Sequence, residues 1–259
     1  MVNNLLTGNA PPHLSPDELA KILQSIESSD AVLIGGQAVN VWAFHYLPKI
    51  PELQKLGPFT SKDIDFYGSA KAAQELAKKI GGTVFIPDID DNTPNSAQVV
   101  ANMSNREVCI DFMANVLGVK DAQINNRVVT LEGSLGTDGP RVGIVLLHPV
   151  DCLKSKLANI NILDRQDIYA ISQTQTSILI CSGLIDELLE TGDFRRAQKI
   201  LNEIFYITKN DCIRSRAYTD HKLDSSQILD NFEYDVRLDA RWRKFILSKH
   251  IEKIRKFKK

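Results

Sequence analysis

The sequence predicts an α+β fold, a mixed β-sheet flanked by helices and followed by an all-helical C-terminal region. Three observations carry this. Up to about residue 148, short apolar or alternating runs interleave with amphipathic segments of helical period. The later runs of that part lie too close together for a helix between every pair, so some strands must pair antiparallel. From Pro149 onward the period is helical, beginning with Leu153, Leu157 and Ile160. The spacing therefore predicts one domain over residues 1–148 and a helical one over 149–259, the latter ending in a basic helix.

Residues 1–14 hold Asn, Gly and a Pro pair without periodicity and read as a loose arm. Order begins at Ser15-Pro16-Asp17-Glu18, which offers a capping hydroxyl, a proline at the first helical position and a glutamate to close a capping box. Leu19, Ile22, Leu23 and Ile26 then share one helix face to about Ser28. Ala31 to Ile34 reads as a buried strand, Gly35-Gly36 as a tight turn, and Ala38 to Ala43 as a helix. After a proline-containing loop from Leu47 to Thr60, Lys62 to Tyr67 alternates as a strand. A helix is predicted over Ala70–Ile80, ended by Gly81-Gly82. Strands follow at Thr83–Ile86, Gln98–Asn102, Glu107–Met113, Val128–Leu131 and Val142–Leu147.

Composition excludes little. Apolar residues make up 43% and charged residues 24%, the profile of an ordinary globular protein. The net charge of -1 hides a contrast: from Arg241 to Lys259 nine Lys or Arg face one acidic residue, Glu252. That tail either covers the core with a charged outer face or guides RNA by phosphate contacts. Four cysteines without a C-x-x-C pair read as reduced thiols. No basic start and no run approaching about 18 apolar residues is found, so a cytoplasmic protein is expected.

The chemistry concentrates in three aspartates. Asp63 and Asp65, two apart on a strand, project from one face while Ile64 points into the core. Such a pair repels itself unless a cation intervenes, and hard cations such as Mg²⁺ favour carboxylate oxygen. Asp111 is the one charge inside Val108 to Met113, where burial would be costly without a partner or a metal. A lone D-x-D is more often a solvated strand edge. The ordered set of strand, Gly-Gly, helix, paired aspartates and a later single aspartate is far more specific.

In Leu33 to Ala38, Thr60 to Phe66, Lys156 to Ala158 and Arg165 to Asp167 the chain resembles the nucleotidyltransferase superfamily, and within it the abortive-infection, AbiE-type toxin nucleotidyltransferases. The likeness covers about residues 31–170. It implies a nucleotidyltransferase-like catalytic domain that binds two Mg²⁺ ions, or Mn²⁺, and a nucleoside triphosphate, and transfers a nucleotidyl group to a hydroxyl of RNA, tRNA or protein. It further implies catalytic and metal-holding roles for Asp63, Asp65 and Asp111, and nucleotide contacts from Gly35, Gly36, Ser61, Lys156, Arg165 and Asp167. A toxin role with an antitoxin partner comes with it. Two departures stand out: Phe44 to Pro58 behaves as an insertion, and the motif from Lys156 to Asp167 is compressed, so that Asp167 fits a purely structural role equally well.

Other features read blandly. Asp88, Asp90 and Asp91 lack the glycine and terminal glutamate of a calcium loop, and five histidines show no zinc spacing. No phosphate-binding P-loop and no G-x-S-x-G occurs. Two other functions share the aspartate set: a nucleotide-binding module without turnover, and a small-molecule nucleotidyltransferase of the antibiotic-modifying kind.

Overall fold

The computed structural model describes residues 13–26, 30–59, 63–88, 90–134 and 141–258. The fold is α+β, with a seven-stranded mixed sheet, flanking helices and a helical C-terminal region. The chain forms two compact units, and it passes between them more than once. The first takes 1–37, 60–114 and 130–146; the second takes 38–59, 115–129 and 147–259.

The first unit is built on β1 (Val32–Leu33), β2 (Ile64–Tyr67), β3 (Thr83–Phe85), β4 (Asn95–Met103), β5 (Arg106–Met113), β6 (Val129–Ser134) and β7 (Arg141–Leu146), in the order β3-β4-β5-β2-β1-β7-β6. β2 pairs parallel with β5 and β1 parallel with β7, while β1–β2, β3–β4 and β4–β5 are antiparallel. Burial alternates along β2, β4 and β5, so one face forms the core. Ile64, Phe66, Val99, Ile110 and Phe112 fill it, and the Phe66 and Phe112 rings stack at 5.5 Å. Helices α1 (Pro16–Ile26) and α3 (Ala70–Ile80) supply Ile22, Leu23, Ala73 and Leu76 to that core. The capping box forms as its residues predict: Ser15 N donates to Glu18 Oε2 at 2.7 Å and Glu18 N to Ser15 Oγ at 3.2 Å. Glu18 also holds Arg106, across to β5, with Arg106 Nε at 3.0 Å from Oε1. Gly81 ends α3 in the left-handed conformation at φ 73°, where a side chain would be strained.

Gly35 and Gly36 do not form a separate turn; they are the first two residues of helix α2 (Gly35–Tyr46). A short 3₁₀ segment at Pro51–Leu56 and a helix α4 (Asp121–Arg127) occupy stretches where periodicity predicts no element. Both are too short and polar to show a period.

The second unit contains α4, α5 (Pro149–Asn161), α6 (Ile168–Glu190), α7 (Phe194–Ile207), α8 (Arg216–Thr219), α9 (Gln227–Asn231), α10 (Ala240–Trp242) and α11 (Ser248–Phe257). Its centre is apolar, with Leu153, Leu157, Ile180, Cys181, Leu201 and Ile204 buried. A charged knot joins three of its helices. Arg127 of α4 binds both carboxylate oxygens of Asp151 on α5 and reaches Glu203 of α7 at 2.7 Å, and Lys154 meets Glu203 at 2.6 Å. Asp151 is fully buried, which that pairing makes tolerable. His148 caps α5 by accepting from Val150 N, and burial first, then the Arg127 charge, pulls its pKa down to about 4. The 23-residue α6 has the length and mean hydropathy, 1.2, of a membrane span, which scattered Thr, Ser and Gln conceal in the bare sequence. Half of that span is buried within the protein, as in a core helix, and this is compatible with a soluble protein.

Candidate functional site

In register on adjacent parallel strands, two residues stand about 4.8 Å apart and point to the same face. Asp65 of β2 is in register with Asp111 of β5, flanked by the pairs Ile64–Ile110 and Phe66–Phe112. Those four apolar residues are buried and the aspartates only half-buried, so the two carboxylates share the face away from the core. On the other side of β5, Gln98 of β4 is in register with Asp111. Gln98 Nε2 donates to Asp111 Oδ1 at 2.9 Å, and Asn95 Nδ2 donates to the same atom at 3.1 Å. Oδ2 is left without a hydrogen bond among the described residues. Two donated amide hydrogens offset part of the cost of holding a second carboxylate beside Asp65.

The start of α2 completes this arrangement. Gly35 has φ +67°, and a Cβ built there would stand 3.1 Å from Asp65 Cγ and 3.3 Å from Asp65 Cβ, and would collide with Oδ2. Only glycine fits both the backbone angle and the approach. The first turn of α2, the positive end of the helix dipole, therefore abuts a carboxylate, an arrangement that favours negative charge. Gly36 is the next residue of that turn.

Asp63 is exposed and immediately precedes β2. Its neighbourhood is visible through Cys109, two residues before Asp111 on the same face. Burial raises the thiol pKa most, and the charges of Glu107, Asp111 and Asp63 raise it further. Asp63 thus belongs to an acidic face with Glu107 and Asp111. Ser61 lies outside the described residues.

The remaining candidates lie in the second unit. Lys156 on α5 is buried and its Nζ donates to Gln173 Oε1 of α6 at 2.6 Å. Arg165 is exposed in the turn between those helices. Asp167 is the N-cap of α6, accepting from Tyr169 N and Ala170 N at 3.0 Å each.

No protein-family model matches the chain, and no curated protein does. Among solved structures it is similar to JHP933 from Helicobacter pylori, at 12% identity and a TM-score of 0.37, over 93% of this chain and 90% of that one. A likeness of that size carries no argument about fold or function.

The chemistry of the first unit's site rests on its own geometry. Two adjacent carboxylates with an open oxygen are suited to one hard divalent cation that keeps most of its water. The three-carboxylate cluster around two ions that the family resemblance implies does not stand assembled: among the described residues no three His, Cys, Asp or Glu side chains gather closely enough to hold a metal. Asn95 and Gln98 are the participants that sequence reasoning misses. Both are polar residues of β4, and their hydrogen bonds to Asp111 depend on how β4 lies against β5, which no local pattern reveals.

Proposed function

We propose that the chain is a divalent-cation-dependent nucleotidyltransferase whose working site lies on the open face of the first unit's sheet. The observation that carries the reading is Asp65 in register with Asp111, with the glycine-started helix α2 against Asp65. In this reading Asp65 and Asp111 hold Mg²⁺ or Mn²⁺, with Asp63 as the third carboxylate. The bound cation neutralises triphosphate charge and makes the acceptor hydroxyl easier to deprotonate. The chain's own groups do the rest. Backbone N–H groups at Gly35 and Gly36 receive phosphate oxygens, because nothing projects from these residues to keep the phosphate away. Asn95 and Gln98 fix the Asp111 carboxylate so that Oδ2 stays available to accept the proton of the attacking hydroxyl, whose oxygen bonds to the α-phosphorus as the bond to pyrophosphate breaks and pyrophosphate leaves.

The test is incubation of the purified chain with each α-labelled nucleoside triphosphate and Mg²⁺, with total RNA, total protein and small aminoglycoside-like acceptors offered in parallel. Label should pass to one acceptor class and be lost in Asp65→Ala and Asp111→Ala. No transfer to any acceptor, or transfer unchanged in both variants, would defeat the proposal. A toxin role adds growth arrest on expression, relieved by the Asp65→Ala substitution or by a small companion protein. A second reading, a nucleotide-binding module without turnover, is favoured by the unassembled third carboxylate. Calorimetry showing triphosphate binding with no product would select it.

A further inference from the structure

The C-terminal region of the second unit carries a surface that the site above does not use. In α11 the apolar residues Ile251 and Ile254, with Leu247 before them, are buried at helical spacing. Lys249, Lys253 and Lys256 fall at i, i+4 and i+7 on the opposite side and are exposed. The other cations of this helix are spoken for: Arg255 pairs with Asp230 and Glu233, and Lys258 with Asp224. Among the described residues, the side chains of Arg241, Lys249, Lys253 and Lys256 make no ion pair or hydrogen bond, and the single acidic residue on the stripe is Glu252. Lys244 rests only over the Phe245 ring, at 5.5 Å.

Aromatic rings stand exposed around this stripe. Phe245 is 53% exposed and Tyr206 56%. Tyr206 is tied to α11 through Phe205, whose ring is 5.1 Å from it and stacks on His250 at 3.9 Å. Tyr234, 79% exposed, is linked through its carbonyl to Arg243. An amphipathic helix that served a membrane would turn its apolar side outward; along α11 that side is consumed by the core and the cationic side is presented, with Phe245 and Ile246 exposed just before it. Unpaired cations spaced along a helix beside solvent-facing rings are the combination that tracks phosphates and stacks unpaired bases.

We propose that this face, from Arg241 to Lys256 with Phe245 and Tyr206, binds single-stranded nucleic acid. Along α11 the three lysines span about 10 Å, enough to follow successive phosphates of one strand. The binding needs no nucleotidyl transfer and stands apart from the catalytic reading.

The experiment is fluorescence anisotropy of the full chain with a fluorescein-labelled 20-nucleotide single-stranded RNA of mixed sequence between 50 and 200 mM salt. A duplex of the same sequence and phosphatidylserine-containing vesicles serve as comparison probes. Binding should weaken with salt at a log–log slope of about -3, and the triple substitution K249Q/K253Q/K256Q should make that slope shallower by about 2. Tyr206→Ala and Phe245→Ala should each weaken single-strand binding on the order of tenfold with little change in slope. The exposed cations Arg195, Arg196 and Lys199, about 9 to 15 Å along α7 from Phe205, give the control: R195Q/R196Q/K199Q should leave the slope where it was. Absence of binding at 50 mM salt, an unchanged slope in the lysine variant, or duplex held as tightly as single strand would overturn the proposal, as would capture by vesicles but not RNA. Asp65→Ala should bind RNA like the parent chain, so loss of label transfer and loss of RNA binding fail separately.

Discussion

Replacing Gly35 by alanine tests the geometry of the aspartate site most directly. An L-residue at φ +67° costs about 1–2 kcal/mol from its own backbone. The added methyl also collides with Asp65 Oδ2 and presses on Cγ at 3.1 Å, so the carboxylate must swing away from the α2 N-terminus. Losing that helix-end contact removes a further few tenths to 1 kcal/mol, for a total of about 2 kcal/mol. In a chain of this size the melting temperature should fall by about 4–8 °C. Scanning calorimetry in EDTA reads the loss, and repeating it with Mn²⁺ reads the site, because a cation bound only by the folded form raises the transition. The parent chain should gain in Mn²⁺ and Gly35→Ala should not. Adding Asp65→Ala removes the collision but keeps the backbone penalty, so the double variant should recover part of the single variant's loss. If Gly35→Ala melts with the parent chain, or if the double variant recovers nothing of the Gly35→Ala loss, the close approach is not what shapes this site.

Asp111→Asn removes one of two like charges on neighbouring strands while leaving an oxygen for Asn95 and Gln98, so in EDTA it should stabilise the chain by about 0.2–1 kcal/mol; the same variant should show no Mn²⁺ gain by calorimetry. Arg127→Gln strips the fully buried Asp151 of its two-pronged partner and leaves it Lys154 at 3.6 Å, so it should cost up to about 3–5 kcal/mol in urea denaturation, with Asp151→Asn in the same chain restoring much of it. His148 titrates below its ordinary value when folded. Its contribution to stability is therefore present above about 6.5 and lost as the pH falls toward about 4, and His148→Asn should flatten the fall in urea midpoint across that window. Glu18 is held down to about 2, first by its hydrogen bond from Arg106, so its contribution is present above about 4.5 and lost on the way to 2. Arg106→Gln should move the acid unfolding midpoint, followed by circular dichroism, to higher pH.

What the sequence discloses and what it withholds divide along a physical line. The capping box at Ser15 and Glu18, the left-handed stop at Gly81 and the alternation through Ile110, Asp111 and Phe112 are local, and a window of ten residues contains the whole signal. The adjacency of Asp65 and Asp111 is different in kind. It requires β2 and β5 to be parallel neighbours, with the β3–β4 pair beyond them, and only the packed sheet decides that. The same holds for Gln98, whose amide reaches Asp111 only in this register. Gly35-Gly36 misleads for another reason: a turn and a glycine-started helix have the same local signature, and the choice is made by what Asp65 allows nearby. The Arg127, Asp151 and Glu203 knot draws one residue from each of three helices and leaves no trace in any one of them.

The backbone's repeated passage between its two bodies limits how this protein can be taken apart. A cut at residue 148 would leave 38–59 and 115–129 on the wrong fragment, so the C-terminal piece would lack α4, and with it the guanidinium that makes Asp151 tolerable. No single scission of the polypeptide yields either body whole. Truncation from either end would accordingly remove parts of one body while leaving the other incomplete, and a tag or a second protein belongs at the surface turns and not at residue 148.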